Sequence, residues 1–297
     1  AGILCVLQEN STRLGGKKTG QTAFEVVNTG SKKIRFQSQR QEEFSKLLLS
    51  LCQSKSVWEV WADFITLSAC TISNLAGKDA PSYAEREAEY MKIIQRYDTA
   101  EVDVFPQLLA ILTMALEENP EQDFLGTLFT ALNLHDYLKG QFFSPYSICM
   151  ATAATTLKGI KEQAKEIGWV SVCDPCCGAG ALLIAAHNYA QFEHIGPENI
   201  LFVGQDINRT AGLMCYIQLF LLGCAGYVVI GDSILHPLDG PTNSPLLINL
   251  QPGQELWLMP ALFSETWATR IAVERLKLAL DSPISEDNAD NQQTPEN

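Results

Sequence analysis

Apolar residues recur at helical spacing through the first half of the chain and gather into strand-like runs only in the second half. From Gln41 onward Phe44, Leu47, Leu48 and Leu51 share one helical face, and Val57, Val60, Trp61, Phe64 and Leu67 share another. Two more helices are predicted over Tyr83–Tyr97, where charges are interspersed, and over Val104–Leu116, which stops ahead of Asn119-Pro120 because the residue before a proline is pushed out of the helical region. Phe124, Leu128, Phe129 and Leu132 add a short fifth. The pattern predicts an all-helical domain over 41–134 with Trp58 and Trp61 in its core.

The period changes further on. After Lys139–Tyr146 and a helical stretch over Ile148–Ile160, the run Trp169–Cys173 reads as a buried strand closing on Asp174. Pro175-Cys176-Cys177-Gly178-Ala179-Gly180 supplies a turn, and Ala181–Ala186 resumes at helical spacing. A second strand ends at Asp206 and is followed by an apolar helix over Asn208–Leu222; a third, from Gly226, ends at Asp232 and Ser233. Strands alternating with helices predict an α/β fold with a parallel sheet, and the repeated acidic ending is more than a single solvated cap explains. Pro245–Asn249 is a candidate fourth strand, Glu255–Met259 a fifth, and Ser264–Leu280 a final helix.

Composition narrows the function classes. The 297 residues, 46% of them hydrophobic and 19% charged, can bury a large globular core. A formal net charge of -13 counts against a nucleic-acid binder that relies on broad phosphate neutralisation, so any DNA contact is expected from a local basic patch or from a partner. The segment 1–40, where Arg13, Lys17, Lys18, Lys32, Lys33, Arg35 and Arg40 outnumber Glu9 and Glu25, reads as a flexible basic arm or as a nucleic-acid-touching tail. The segment 283–297 reads as an acidic disordered tail. Nine cysteines, an odd number with several inside apolar runs, read as reduced thiols of a cytoplasmic protein. Cys173, Cys176 and Cys177 lack a second pair at ligand spacing, so they are taken as loop residues and no metal is expected. The apolar stretch Met214–Cys224 is interrupted by Gln218 and is too short to cross a bilayer.

The chemistry lies in the turn after the first strand. Glycines at Gly178 and Gly180 let bare backbone N–H groups and a helix N-terminus approach a ligand closely. Asp-Pro-x-x-Gly-x-Gly resembles the S-adenosylmethionine loop of amino-methyltransferases acting on DNA. Upstream, Gly140-Gln-Phe-Phe-Ser-Pro145 resembles the Gly-x-Phe/Tyr-Phe/Tyr-Thr-Pro segment of type I restriction modification subunits and related N6-adenine methyltransferases, with Ser144 in the place of Thr and able to cap the following helix. The resemblance implies a Rossmann-like S-adenosylmethionine-binding domain over 135–282. Its cofactor contacts would come from Phe143, Ser144, Pro145, Asp174, Cys176, Gly178, Gly180, Asp206, Ile207, Asp232 and Ser233. Asp206 would accept the ribose hydroxyls and Asp232 would lie beside the adenine.

The resemblance fails at the catalytic end. The family's Asn/Asp-Pro-Pro-Tyr/Phe tetrad, which holds the target amino group and stacks on the flipped base, is absent, and only Asn249 in Leu-Ile-Asn-Leu-Gln-Pro matches its first position. Asn249 is the catalytic candidate. Two functions remain open: an S-adenosylmethionine-dependent DNA adenine-N6 methyltransferase with a partner subunit supplying sequence recognition, or a catalytically inactive binding or regulatory subunit of a mobile element or restriction-modification system.

Overall fold

The computed structural model describes residues 28–29, 32–134, 143–238 and 244–281. Most of the basic arm, the start of the Gly140–Pro145 segment and the acidic tail lie outside the described residues. The described residues open with a two-residue antiparallel ladder, β1 (Asn28–Thr29) with β2 (Lys32–Lys33). Six helices follow: α1 (Gln39–Ser50), α2 (Val57–Ser73), α3 (Tyr83–Ile94), α4 (Thr99–Val102), α5 (Val104–Glu118) and α6 (Phe124–Ala131). Local chemistry sets their starts. Ser38 accepts from the Gln41 N–H at the head of α1, and Ser56 and Glu59 form a reciprocal capping box on α2.

Then come α7 (Tyr146–Thr156), α8 (Ile160–Ile167), β3 (Val170–Asp174), α9 (Ala181–Phe192), β4 (Ile200–Asp206), α10 (Arg209–Leu221), β5 (Ala225–Ile230), β6 (Glu255–Leu258) and α11 (Glu265–Asp281). The helix expected over Ile148–Ile160 is two helices, because Gly159 at φ +86° is left-handed and breaks the hydrogen-bond ladder between α7 and α8.

The sheet runs β3-β4-β5-β6, with the first three strands parallel and β6 antiparallel to β5. This is the α/β arrangement with a helical N-terminal part that the sequence predicts. One expectation is corrected: Pro245–Asn249 is not a strand. The free edge of β5 is taken by β6, which pairs Tyr227 with Leu258 and Ile230 with Glu255, and Pro245 has no N–H to give a ladder. The segment instead lies across the sheet, where the Tyr227 hydroxyl donates to the Pro245 carbonyl at 2.8 Å.

Alternation along the strands divides the packing. Ile200 and Phe202 of β4 face the helices, while Leu201 and Val203 face Leu246, Leu262 and Trp267 on the other side. On the helical side one continuous core runs from Phe44 of α1 through Trp61 and Phe124 to Tyr216 of α10 and Trp257 of β6. The first six helices join the sheet through α10, which packs against α2 and α6 on one side and against β4 and β5 on the other. Charges close the seam: the Arg86 guanidinium stacks 3.4 Å from the Trp257 ring centre, and Arg209 binds Glu89 at 2.9 Å and Glu255 at 3.0 Å. Trp58 departs from the expected core position. Burial in α2 starts only at Val60, so the first turn projects into solvent and leaves Trp58 51% exposed. The 20-residue stretch Thr99–Glu118 is apolar enough to cross a membrane by length and composition, and here its Phe105, Leu108, Leu112 and Leu116 lie in the core.

Phe44 meets Trp61, Phe64 and Phe124 edge-on with ring centres 5.2–6.0 Å apart. Phe44→Ala is expected to lower stability by about 3–5 kcal/mol, read from the urea midpoint. A loss below about 1 kcal/mol would mean that this aromatic cluster does not anchor the helical layer.

Candidate cofactor site

The site is built at the carboxyl ends of β3, β4 and β5, where parallel strands leave a crevice. β3 stops at Asp174, whose Oδ1 accepts from the Cys176 N–H at 3.0 Å and so starts the turn. Both glycines of the turn are left-handed, Gly178 at φ +54° and Gly180 at φ +95°. At Gly180 space is a second constraint, since a Cβ there would stand 2.8 Å from the Cys215 Sγ of α10. The turn is tied to the next strand twice: Cys177 N–H donates to the Gln205 carbonyl at 2.9 Å and Gly178 N–H to Asp206 Oδ2 at 2.8 Å.

Asp206 also accepts from Asn208 N–H through Oδ1 at 2.7 Å, and Asn208 then caps α10 by accepting from Ala211 N–H. Each Asp206 oxygen keeps a second acceptor position, so the carboxylate can hold the loop and still receive a ligand hydroxyl. At the end of β5, Asp232 Oδ1 accepts from Ile234 and Leu235 N–H groups at 2.9 and 3.0 Å. The three loops touch: Gly231 N–H donates to the Asp206 carbonyl at 2.9 Å, and Cys176 Sγ lies 3.7 Å from Ser233 Oγ. The buried Gln205 side chain reaches the His236 carbonyl at 3.0 Å and pins the β5 loop.

A cavity of about 270 Å³ opens above the turn. Of the residues singled out from sequence, Phe143, Ser144, Asp174, Cys176 and Gly178 line it. Gly180 sits below at the start of α9, and Asp206, Ile207, Asp232 and Ser233 continue the rim along the neighbouring strand ends. Pro145 begins α7 rather than lining the cavity. Ser144 does not cap α7 as expected: the helix starts at Tyr146, which makes Pro145 the cap position, and no side-chain cap bond forms. Sequence reading missed Ile148, Cys149 and Thr152, which line the cavity from α7. Their helical spacing after Ser144 was the available signal.

Asn249 is elsewhere. It lines a separate apolar groove of about 810 Å³ with Leu246, Leu258, Ile271 and Arg275, and the groove and the cavity share no lining residue. Electrostatics also distinguish the carboxylates. Burial pushes the Asp174 carboxyl above the usual range, opposed by the Cys176 N–H and helped by the neighbouring Asp206 charge. The Leu235 and Ile234 N–H groups hold Asp232 below it.

Strand-end carboxylates, a glycine turn and an aromatic residue just upstream thus surround one cavity, and residues 127–260 match the family described as N-6 DNA Methylase. The match spans 134 of the 297 residues, a little under half of the chain. The match begins within α6 and so takes in part of the helical layer as well as the sheet. A solved Listeria monocytogenes structure, described as a class I S-adenosylmethionine-dependent methyltransferase, is 17% identical with a TM-score of 0.40; the match covers 68% of this chain and 56% of that one. Comparison with curated proteins finds no match.

Gly178→Leu is expected to destabilise the protein by about 1–2 kcal/mol, because a left-handed L-residue is strained and the atoms beyond its Cβ, which already stands 3.4 Å from the Phe143 ring, would have to displace that ring. An unchanged thermal midpoint would remove the conformational demand assigned to this turn.

Proposed function

We propose that the chain binds S-adenosylmethionine at the β3–β5 strand ends and forms the cofactor-binding part of a DNA adenine-N6 methyltransferase. The observation that carries this reading is the charge of the cavity: Asp174 is the one charged side chain among the described residues lining it, and Asp206 and Asp232 stand on the adjoining rim. The cofactor has a cationic sulfonium and ammonium, so an uncompensated carboxylate suits it. Bound there, it would supply a methyl group activated by the positive sulfur. The chain's own residues bind and orient: Asp174 faces the cationic part, Asp206 accepts the ribose hydroxyls, and Ile207, 71% exposed beside Asp206, offers an apolar surface to the base.

DNA is the proposed substrate, with a partner subunit supplying sequence recognition, since the chain's net charge of -13 is unsuited to tracking phosphates alone. A second reading, a catalytically inactive binding or regulatory subunit, is favoured by the position of Asn249 in a groove that shares no residue with the cofactor cavity.

Calorimetry with S-adenosylmethionine tests the cofactor reading. Affinity for the cation is expected to fall on acidification from a point above the ordinary aspartate value of about 3.9, because the raised Asp174 pKa brings protonation in early. Asp174→Asn should weaken binding and flatten that dependence. A dissociation constant unchanged down to about pH 4 would remove Asp174 from the site.

Tritiated methyl transfer to mixed DNA separates the two readings. Without a stacking aromatic, about 1–3 kcal/mol of base binding is lost, or roughly one to two powers of ten in rate. The isolated chain is expected to turn over very slowly or not at all, with Asn249→Ala changing little. Robust turnover abolished by Asn249→Ala would place the acceptor site on this segment.

A further inference from the structure

α10 runs beneath the glycine turn with one polar side chain buried in its apolar middle. Gln218 is 0% exposed. Its Oε1 accepts from Leu125 N–H at 3.1 Å, and its Nε2 donates to Asp123 Oδ1 and to the Ala179 carbonyl, each at 2.9 Å. Ala179 lies between the two left-handed glycines, while Asp123 and Leu125 form the start of α6, where Asp123 Oδ1 also accepts from Gly126 N–H at 2.8 Å. A buried amide in an apolar helix is costly unless satisfied, and this one spends its bonds on two elements far apart in sequence.

α6 holds the turn from a second side. The Phe129 ring meets Phe143 edge-on at 5.6 Å, and Phe143 in turn covers Gly178. The first turn of α6 also presses on the loop directly, since a Cβ at Gly126 would stand 2.9 Å from the Cβ of Ala179.

We propose that Gln218 is a positioning residue for the cofactor loop. It fixes the Ala179 carbonyl and thereby the orientation of the Gly178 and Gly180 amides, and through Asp123 and Leu125 it makes loop geometry depend on the seating of α6. Its effect on ligand binding rests on the S-adenosylmethionine reading; its effect on the loop does not.

The test measures hydrogen exchange and cofactor calorimetry on the full chain and on two variants. Gln218→Met keeps the side chain's shape and removes its bonds; Leu219→Ala destabilises the same helix at a buried position with the amide left in place. The expected result is exchange at the Gly178 and Gly180 amides accelerated roughly tenfold or more in Gln218→Met, weaker S-adenosylmethionine binding, and neither change in Leu219→Ala. Should Gln218→Met fail to fold, Gln218→Leu removes the same bonds with another apolar side chain of similar size and is measured in its place. Unchanged exchange at the two glycines, or equal acceleration in Leu219→Ala, would overturn the proposal. A parent protein that fails to bind the cofactor while the exchange effect holds would overturn the ligand reading and leave the positioning role standing.

Discussion

The Asp206 carboxylate is the contact on which the rest of the site depends. With one oxygen it takes the Gly178 N–H of the β3 turn, with the other the Asn208 N–H that starts α10, and through its own carbonyl it receives Gly231 at the end of β5. Three loops separated by long helices are thereby locked to one residue. An ionised acceptor makes stronger bonds to backbone N–H groups than a neutral one, and it does so at the edge of a partly dry crevice. Parallel strands alone would bring the loops to the same end of the sheet, but the carboxylate fixes their mutual spacing.

The helical layer is part of the same device. A line of rings leads from Phe44 through Trp61 and Phe129 to Phe143, ending on the glycine turn. The Arg86–Trp257 stack and the Arg209 pairs with Glu89 and Glu255 clamp the same layer to the far edge of the sheet. The Arg209 pairs are about one-third exposed, so they contribute little to stability and mainly specify how the layer seats. The match to the methylase family starts inside α6, in keeping with that helix belonging physically to the site.

The site is also lopsided. Its cavity side is dense with satisfied polar contacts, while the segment containing Asn249 lies on the opposite face, with Leu246 packed among Tyr227, Leu262 and Trp267, and forms part of an apolar groove. The loop that follows Asn249 meets the β5 loop at the rim, where Gln254 Nε2 donates to the His236 carbonyl at 3.1 Å.

Much of this was legible in the chain itself. The change from helical spacing to apolar runs ending at Asp174, Asp206 and Asp232 specified the α/β class and the strand order in sequence, because burial on both faces imposes continuous apolar runs and a ligand crevice favours acid at their ends. The glycines of the turn were legible because only glycine takes left-handed φ without strain. Tertiary structure alone decided the rest. The antiparallel docking of β6 on β5 in the place proposed for Pro245–Asn249, the exposure of Trp58 and the split at Gly159 depend on which edges and faces were already taken. The bonds of Gln218 to Ala179, Asp123 and Leu125 join residues up to 95 positions apart, and a glutamine in an apolar helix carries no local sign of such partners. Periodicity reports what a residue's own element buries; it cannot report which distant carbonyl will lie beneath it.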